Sequence, residues 1–163
     1  MLTVSDTSPI SNLAIIGQLN LLHEQFGDVL IPEAVYDEFS RMASLPARRL
    51  IVQAVESAWL SVHKVNSGTH LDWLLWDLDR GEAEAIALAV ELKADILLID
   101  ELEGRRMARE SGLTVRGVLG VLMRAKKTGS LAAIKPSIEM LKSQARFFVA
   151  AELEQRVLNE VGE

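Results

Sequence analysis

Short apolar segments alternate along this chain with longer segments in which apolar residues recur every three or four positions. The short segments are typical of buried β-strands and fall at residues 2–6, 27–32, 59–65, 95–100 and 113–117. The longer segments predict helices at 8–17, 32–42, 81–94, 101–111, 117–129, 134–144 and 150–161. We therefore predict an α/β fold with three layers, α/β/α, around a central, mostly parallel sheet.

Local signals set the expected helix boundaries and the expected domain organisation. Ser8 and Pro9 are typical of an N-cap and a first helical position, and Gly17 of a helix end. The segment 81–94 has apolar residues on nearly every face, which predicts a buried helix. Because no linker or repeat interrupts the chain, we expect one domain over 1–163, with a motif-bearing core at about 2–125 and C-terminal helices at about 130–161.

Composition narrows the possible functions. The chain has 163 residues and no Cys, which excludes disulfides and thiolate metal sites. Its 17 Lys and Arg against 23 Asp and Glu give a net charge of −6, which does not favour a general nucleic-acid binder but is compatible with acids around a divalent cation. No apolar run is long enough to cross a membrane, and no basic segment precedes an apolar one as in a secretory signal. We expect a cytoplasmic protein.

Two aspartates end predicted strands. Asp6 closes the first apolar segment and Asp100 closes the segment "ILLI". If the two strands are parallel neighbours, their carboxyl ends meet at the same edge, where the functional crevice of such sheets lies. The alternative for each aspartate is that it simply caps the following helix.

Three glutamates occupy unusual helical positions. Glu38 lies within the apolar stripe of its helix, and a carboxylate there destabilises the fold unless something pairs with it. Glu82 opens the buried helix, where a capping box with Asp79 would also explain it. Glu84 lies in the same buried helix and has no such explanation. Its position suggests a partner.

Carboxylates from four elements can thus meet at one edge. They repel one another unless a cation binds or protons are taken up. Oxygen ligands without His or Cys suit Mg²⁺ or Mn²⁺, and such sites usually serve phosphoryl chemistry. The three His residues have no helical metal spacing.

Four motifs in this order resemble those of PIN-domain nucleases, and more narrowly the small prokaryotic PIN-like proteins that are often paired with an antitoxin. The motifs are "VSDTSPISNLAIIGQLNLL", "VLIPEAVYDEF", "LDRGEAEAIALA" and "LLIDELEGRRMA". The resemblance implies Mg²⁺- or Mn²⁺-dependent hydrolysis of RNA by a carboxylate quartet, and a toxin of a toxin–antitoxin pair.

The resemblance also implies a role for each acid. The quartet matches Asp6, Glu38, Glu82 and Asp100, with Glu84 and Glu101 as possible substitutes for the last two and Ser8 as an auxiliary hydroxyl. Asp6, Glu82 and Asp100 would hold the metal. Glu38 would orient or deprotonate the attacking water. The third acid is Glu where many members of the family have Asp, which leaves open one or two metal ions.

Other segments suggest substrate or partner contacts. Arg105, Arg106 and Arg109 follow the strand that ends in Asp100 and could contact RNA phosphates, although Glu101 and Arg105 have the spacing of a solvated ion pair. In the segment 70–78, four leucines would form one helical face and leave Trp73 and Trp76 on another. The two tryptophans suggest a homodimer or antitoxin surface, with core packing as the alternative.

The C-terminal segment 145–161 is amphipathic and could pack on its own domain, on a second copy or on a partner.

Two other classes of protein remain open. A PIN-like fold could serve as a catalytically silent interaction module, with every acid a cap or an ion-pair member. A phosphoacceptor receiver domain also places aspartates at strand ends, but it requires a lysine after a late strand. Here that strand offers only Arg116.

Overall fold

The computed structural model describes residues 1–163 and contains one sheet of five parallel strands in the order β3-β2-β1-β4-β5. The strands are β1 (Thr3–Ser5), β2 (Val29–Pro32), β3 (Leu60–His63), β4 (Ile96–Leu98) and β5 (Val115–Arg116). All five predicted strands are confirmed, each somewhat shorter than its apolar segment. β1 lies at the centre, and its Thr3 pairs with Val29 of β2 and Ile96 of β4.

Ten helices surround the sheet. They are α1 (Thr7–Ile15), α2 (Asn20–Phe26), α3 (Glu33–Phe39), α4 (Leu45–Glu56), α5 (Thr69–Leu74), α6 (Arg80–Glu91), α7 (Leu102–Glu110), α8 (Val118–Thr128), α9 (Lys135–Gln144) and α10 (Ala151–Glu160). Neither α2 nor α4 was predicted from the sequence pattern. The first is too short for its period to stand out. The second begins at an N-cap, Ser44, whose hydroxyl accepts a hydrogen bond from the Ala47 amide at 3.3 Å.

Apolar side chains from both faces of the sheet form the core. The larger cluster packs α1, α2, α4, α8 and α9 against one face and includes Ile10, Leu22 and Val121. The smaller cluster packs α5, α6 and α7 against the other face and includes Ile86 and Met107. This arrangement confirms the three-layer α/β/α prediction.

Helix α1 begins earlier than predicted. Asp6, not Ser8, is the N-cap residue, and Pro9 is the third residue of the helix. The reason is that the Asp6 amide donates to the Leu98 carbonyl at 2.9 Å, so strand pairing continues until the residue at which the helix starts. Proline is tolerated there because the first-turn amides have no partner within the helix.

The C-terminal segment packs on its own chain. Val149, Val157 and Leu158 are buried in the larger cluster, whereas Leu153 is partly exposed. One of the three predicted arrangements is therefore the observed one. None of the helices combines the length and the apolar character needed to cross a membrane.

Candidate active site

The predicted edge of the sheet carries both aspartates. Ser5 and Leu98, the last residues of β1 and β4, are paired in register. Asp6 follows Ser5 directly, and Asp100 follows Leu98 by two residues. Because the strands are parallel neighbours, both carboxylates leave the sheet at its carboxyl edge, as the sequence indicated.

Asp6 is almost completely buried, with 3% of its surface exposed. It occupies the N-cap position of α1, but its side chain makes no capping hydrogen bond, so capping does not explain it. Burial raises its pKa well above the usual range. The neighbouring Thr7 amide lowers that pKa, and three carboxylates raise it further: Glu82, Asp79 and Glu38. The charged groups that act on Asp6 are thus all acids.

Glu38 reaches this edge from α3, half-buried on the inward side of the helix. Its carboxylate lies against Gly81 of α6, and a Cβ at Gly81 would overlap Glu38 Oε1. Burial raises the Glu38 pKa, and Asp79 raises it further. The Thr7 hydroxyl, which is buried and forms no hydrogen bond of normal geometry, is close enough to lower this pKa. The missing side chain at Gly81 therefore leaves the room that Glu38 needs.

Glu82 lies in the first turn of α6 and is mostly buried. Burial, followed by the charges of Asp79, Glu101 and Glu38, raises its pKa to about 7. The Glu82 amide donates to Asp79 Oδ1 at 2.9 Å, which is the predicted N-cap. Capping thus explains Asp79 and the Glu82 backbone, but it does not explain why the Glu82 carboxylate is directed toward other acids.

Asp79 is the residue that the sequence analysis missed as part of the site. It caps α6, and its charge also raises the pKa of Asp6, Glu38 and Glu82. The signal was its capping-box spacing to Glu82, which was interpreted only as helix stabilisation. We refer to Asp6, Glu38, Asp79 and Glu82 together as the acidic cluster.

The two possible substitute acids differ in position. Glu84 is buried and forms an ion pair at 2.9 Å with Arg80, which lies four residues earlier on the same helix. Arg80 is therefore the partner that the position of Glu84 in a buried helix suggested. Glu101 is exposed at the N-cap of α7, where its charge raises the pKa of Glu82 and Asp100. The structure thus brings Glu101 close to the site and pairs Glu84 elsewhere.

Asp100 differs from the acidic cluster in its contacts. Its Oδ1 accepts a hydrogen bond from the Val118 amide at 2.8 Å, so it caps α8 rather than the helix that follows it directly. Its Oδ2 is buried without a hydrogen-bond partner. Burial raises the Asp100 pKa to about 6, while the Val118 amide and the nearby Arg105 lower it. A Cβ at Gly117 would lie 2.7 Å from Oδ1, so this carboxylate also depends on a glycine.

The three arginines of α7 have different surroundings. Arg105 is half-buried and donates to the Ile99 carbonyl at 2.9 Å, so the expected solvated pair with Glu101 does not form. Arg106 forms ion pairs with Glu103 and Glu110, away from the acidic cluster. Arg109 is exposed and forms no ion pair.

Ser8 lies near Asp6, and two of the histidines stack on tryptophans. Ser8 lies half-buried in the first turn of α1, two residues after Asp6. His23 stacks on Trp59 and His70 stacks on Trp73. Nowhere do three or more Asp, Glu, His or Cys side chains already stand in a metal-binding arrangement.

In the segment 70–78 three of the four leucines are buried and the tryptophans are exposed, as the sequence pattern indicated. Leu71, Leu74 and Leu78 are buried, whereas Trp76 has 83% and Trp73 has 42% of its surface exposed. Core packing therefore does not account for Trp76.

Comparison with known proteins agrees with this architecture. A family model described as a PIN domain matches residues 2–163. A solved structure of a PilT N-terminus domain protein from the hyperthermophilic archaeon Sulfolobus solfataricus is similar, with a TM-score of 0.51, 18% sequence identity, and coverage of 77% of this chain and 93% of that chain. This similarity concerns the fold. No curated protein matches the sequence significantly.

Proposed function

This chain belongs to the PIN-domain family, and from that premise we propose that it is a Mg²⁺- or Mn²⁺-dependent endoribonuclease. PIN domains are generally nucleases that use divalent metal ions. The finer assignment to RNA and to hydrolysis by this chain is our proposal. The match over 2–163 supports the expectation of one domain.

The burial of Asp6 among acids is the observation that supports this function most strongly. A buried carboxylate without a nearby cation destabilises a fold, and other acids beside it increase the effect. The charged groups that shift the Asp6 pKa are all carboxylates. They belong to Glu38, Asp79 and Glu82, which come from other elements of the fold. Proteins keep such an arrangement when it serves a function, and several perturbed carboxylates in one place favour a site for cations or protons.

The chemistry of the donors fits a hard divalent ion. Asp6, Glu82 and Asp100 supply only oxygen atoms, which Mg²⁺ and Mn²⁺ prefer, and Asp100 Oδ2 is a buried oxygen without a partner. Because the carboxylates repel one another without an ion, we infer that side-chain rotations complete the metal site. When bound, the ion would polarise a phosphate and lower the pKa of a water molecule.

Glu38, Asp79 and Ser8 would then each have a separate role in the reaction. Glu38 would orient the attacking water and accept its proton, for which a raised pKa is suitable. The water oxygen would form the new bond to phosphorus in line with the departing oxygen, which would take up a proton. Asp79 would fix the start of α6 and so the position of Glu82. Ser8 would contact Asp6 or substrate from the first turn of α1.

The partner proposals rest on the family resemblance and on one exposed side chain. The resemblance to antitoxin-paired PIN-like proteins supports a toxin role, and the exposed Trp76 supports a protein surface for an antitoxin or a second copy. A catalytically silent module is the second candidate function, favoured by the lack of three side chains already placed around one ion. Membership of the PIN family disfavours the receiver-domain reading.

Cleavage of a labelled single-stranded RNA pool would test the function. The purified protein is assayed with Mn²⁺, Mg²⁺ or EDTA, alongside Asp6→Asn and Asp100→Asn. Glu84→Gln is the matched control, since it removes a buried acid of α6 that is paired with Arg80. We expect metal-dependent cleavage that both Asn variants lose and the control keeps. No cleavage, or equal cleavage by all four proteins, would contradict the proposal.

A further inference from the structure

A basic groove lies on α8, at the end of the sheet beyond Asp100. It has a volume of about 280 Å³ and is lined by Arg116, Gly120, Met123, Arg124 and Lys127. We call it the α8 groove. Three of its five lining residues are cationic and none is acidic, although the whole chain carries a net charge of −6.

The groove begins beside the candidate active site. The backbone of Arg116, the last residue of β5, stands at the same carboxyl edge as Asp100, because β5 pairs with β4. Its side chain extends from there along α8, past Gly120 to Phe26. The next residue, Gly117, packs against the Asp100 carboxylate, and the amide after it donates to Asp100 Oδ1. From there the groove follows α8 for about 10 Å between Gly120 and Lys127, at 1.5 Å per residue.

Arg116 is held in a fixed place at the start of the groove. Its guanidinium lies over the Phe26 ring, 5.8 Å from the ring centroid. Its aliphatic stem lies across Gly120, where a Cβ would come within 3.0 Å of Arg116 Cγ. An arginine that is held on an aromatic ring and forms no ion pair loses less entropy when it binds an anion.

The other two cations of the α8 groove differ in whether they form an ion pair. Arg124 is exposed and forms no ion pair, whereas Lys127 is paired with Glu160 at 2.8 Å. Both are displayed at solvent-accessible positions, where a phosphate can compete for them.

The arginines of α7, by contrast, are poor candidates for a backbone track. Arg106 is already paired with two glutamates, and Arg105 donates to a main-chain carbonyl. Only Arg109 of the predicted three is exposed and unpaired. The α8 groove therefore has two cations without an ion-pair or hydrogen-bond partner, Arg116 and Arg124, whereas α7 has one, Arg109.

We propose that the α8 groove binds the phosphate backbone of single-stranded RNA next to the acidic site, with Arg116 and Arg124 as its principal contacts. This inference rests on the proposed function for the choice of RNA as the anion. It assigns the substrate contacts to α8 instead of α7. Phosphate contacts of this kind position a strand without reading its sequence.

Binding of a fluorescently labelled single-stranded RNA, measured by anisotropy in EDTA, would test the groove without cleavage. The test variant combines Arg116→Met, which keeps a stem across Gly120, with Arg124→Ala. The control is Arg106→Ala, which removes one charge from α7, whereas the double variant removes two from the groove. Circular dichroism melts check that each variant is folded.

We expect the double variant to bind RNA about tenfold more weakly at low salt, and the slope of log K against log salt to fall by about 1.4, or about 0.7 for each lost contact. Arg106→Ala should bind within about twofold of wild type, since its guanidinium is engaged by two glutamates. An unchanged double variant, an equal loss in Arg106→Ala, or no RNA binding by the wild type would overturn the proposal. Tighter binding of a labelled polyglutamate peptide than of RNA would also overturn it, since the occupant would then be an acidic protein.

The outcome is separable from the proposed function. Weakened RNA binding by the double variant, in a protein that cleaves nothing, would support the groove proposal and contradict the nuclease proposal. Normal cleavage, with unchanged RNA binding by the double variant, would support the nuclease proposal and contradict the groove proposal.

Discussion

Asp6 and Asp100 end neighbouring strands at one edge of the sheet, but the charges around them differ. The charged groups that shift the Asp6 pKa are all carboxylates, and the Asp6 side chain makes no capping hydrogen bond. Asp100 accepts a hydrogen bond from the Val118 amide and has Arg105 beside it. Half of the site is therefore a concentration of negative charge, and the other half is partly compensated. The comparison indicates that a cation would stabilise the Asp6 side more than the Asp100 side.

Substitution of the two aspartates should have the largest effect. Asp6→Asn and Asp100→Asn should each reduce RNA cleavage by about 10²–10³-fold, because each removes a carboxylate that would hold the metal ion, whose charge stabilises the reacting phosphate. Without metal, however, Asp6→Asn should stabilise the fold by about 1–2 kcal/mol, since it removes a buried repelling charge. Thermal melts in EDTA measure this.

Asp100→Asn should give no such stabilisation, because Arg105 then loses its neighbouring charge and the helix cap becomes weaker. Equal changes in stability for the two variants would contradict the proposed difference between the charges around Asp6 and those around Asp100.

Gly81→Ala should have the next largest effect. The added methyl group would occupy the space of Glu38 Oε1, so Glu38 must move. We expect activity to fall by about 10²-fold through displacement of a catalytic group, while alanine in a helix keeps or improves stability. The measurement is kcat together with a thermal melt.

Gly68→Ala is the matched control, because Gly68 has nothing within 4 Å and its φ is 175°. Similar activity losses in both variants would show that the contact with Glu38 is unimportant.

Asp79→Asn should have an intermediate effect. Asparagine still accepts the hydrogen bond from the Glu82 amide, so α6 stays capped and the melting temperature should hold. The charge next to three acids is lost, and we expect about 10-fold weaker Mn²⁺ binding. Calorimetric titration measures it. Unchanged affinity would reduce Asp79 to a helix cap.

The pH dependence of the metal-free protein should be the smallest effect. The pKa of Glu82 is about 7 and that of Asp100 about 6, against ordinary values of 4.5 and 3.8. The folded protein therefore binds more protons than the unfolded chain between these values. Stability is then greatest below about pH 4 for these groups and falls as the pH rises through 6 and 7.

We expect the melting temperature in EDTA to be about 3–6 °C lower at pH 8 than at pH 5. Excess Mn²⁺ should reverse the trend, and Glu82→Gln should flatten it. A melting temperature that rises with pH in EDTA would contradict these pKa shifts.

Much of the fold was predictable because its signals are local. Each strand is a short apolar run, and the segment from Gly81 to Ala89 is entirely buried, as its apolar residues on every face indicated. The start of α1 was placed two residues late because Ser8 and Pro9 are good first-turn residues at several positions. Only the strand pairing of Asp6 with Leu98 decides between them.

The site was predictable in outline but not in its details. The edge at which Asp6 and Asp100 emerge follows from strand alternation. The partner of Glu84 was one turn away in Arg80, yet a glutamate in an apolar helix gave no sign of which residue it would pair with. Arg105 was expected on a solvated surface, whereas its contact with the Ile99 carbonyl depends on how α7 folds back on β4. Such contacts arise from tertiary packing.

Calorimetric titration of Mn²⁺ into the wild type, Glu82→Gln and Glu84→Gln at pH 6.5 tests the central claim most directly. Two buffers of different ionisation enthalpy report the protons that leave Glu82 and Asp100 when the ion binds. We predict saturable binding with proton release in the wild type and Glu84→Gln, and its loss in Glu82→Gln. The absence of saturable binding in the wild type, or equal losses in both variants, would contradict a metal site in the acidic cluster.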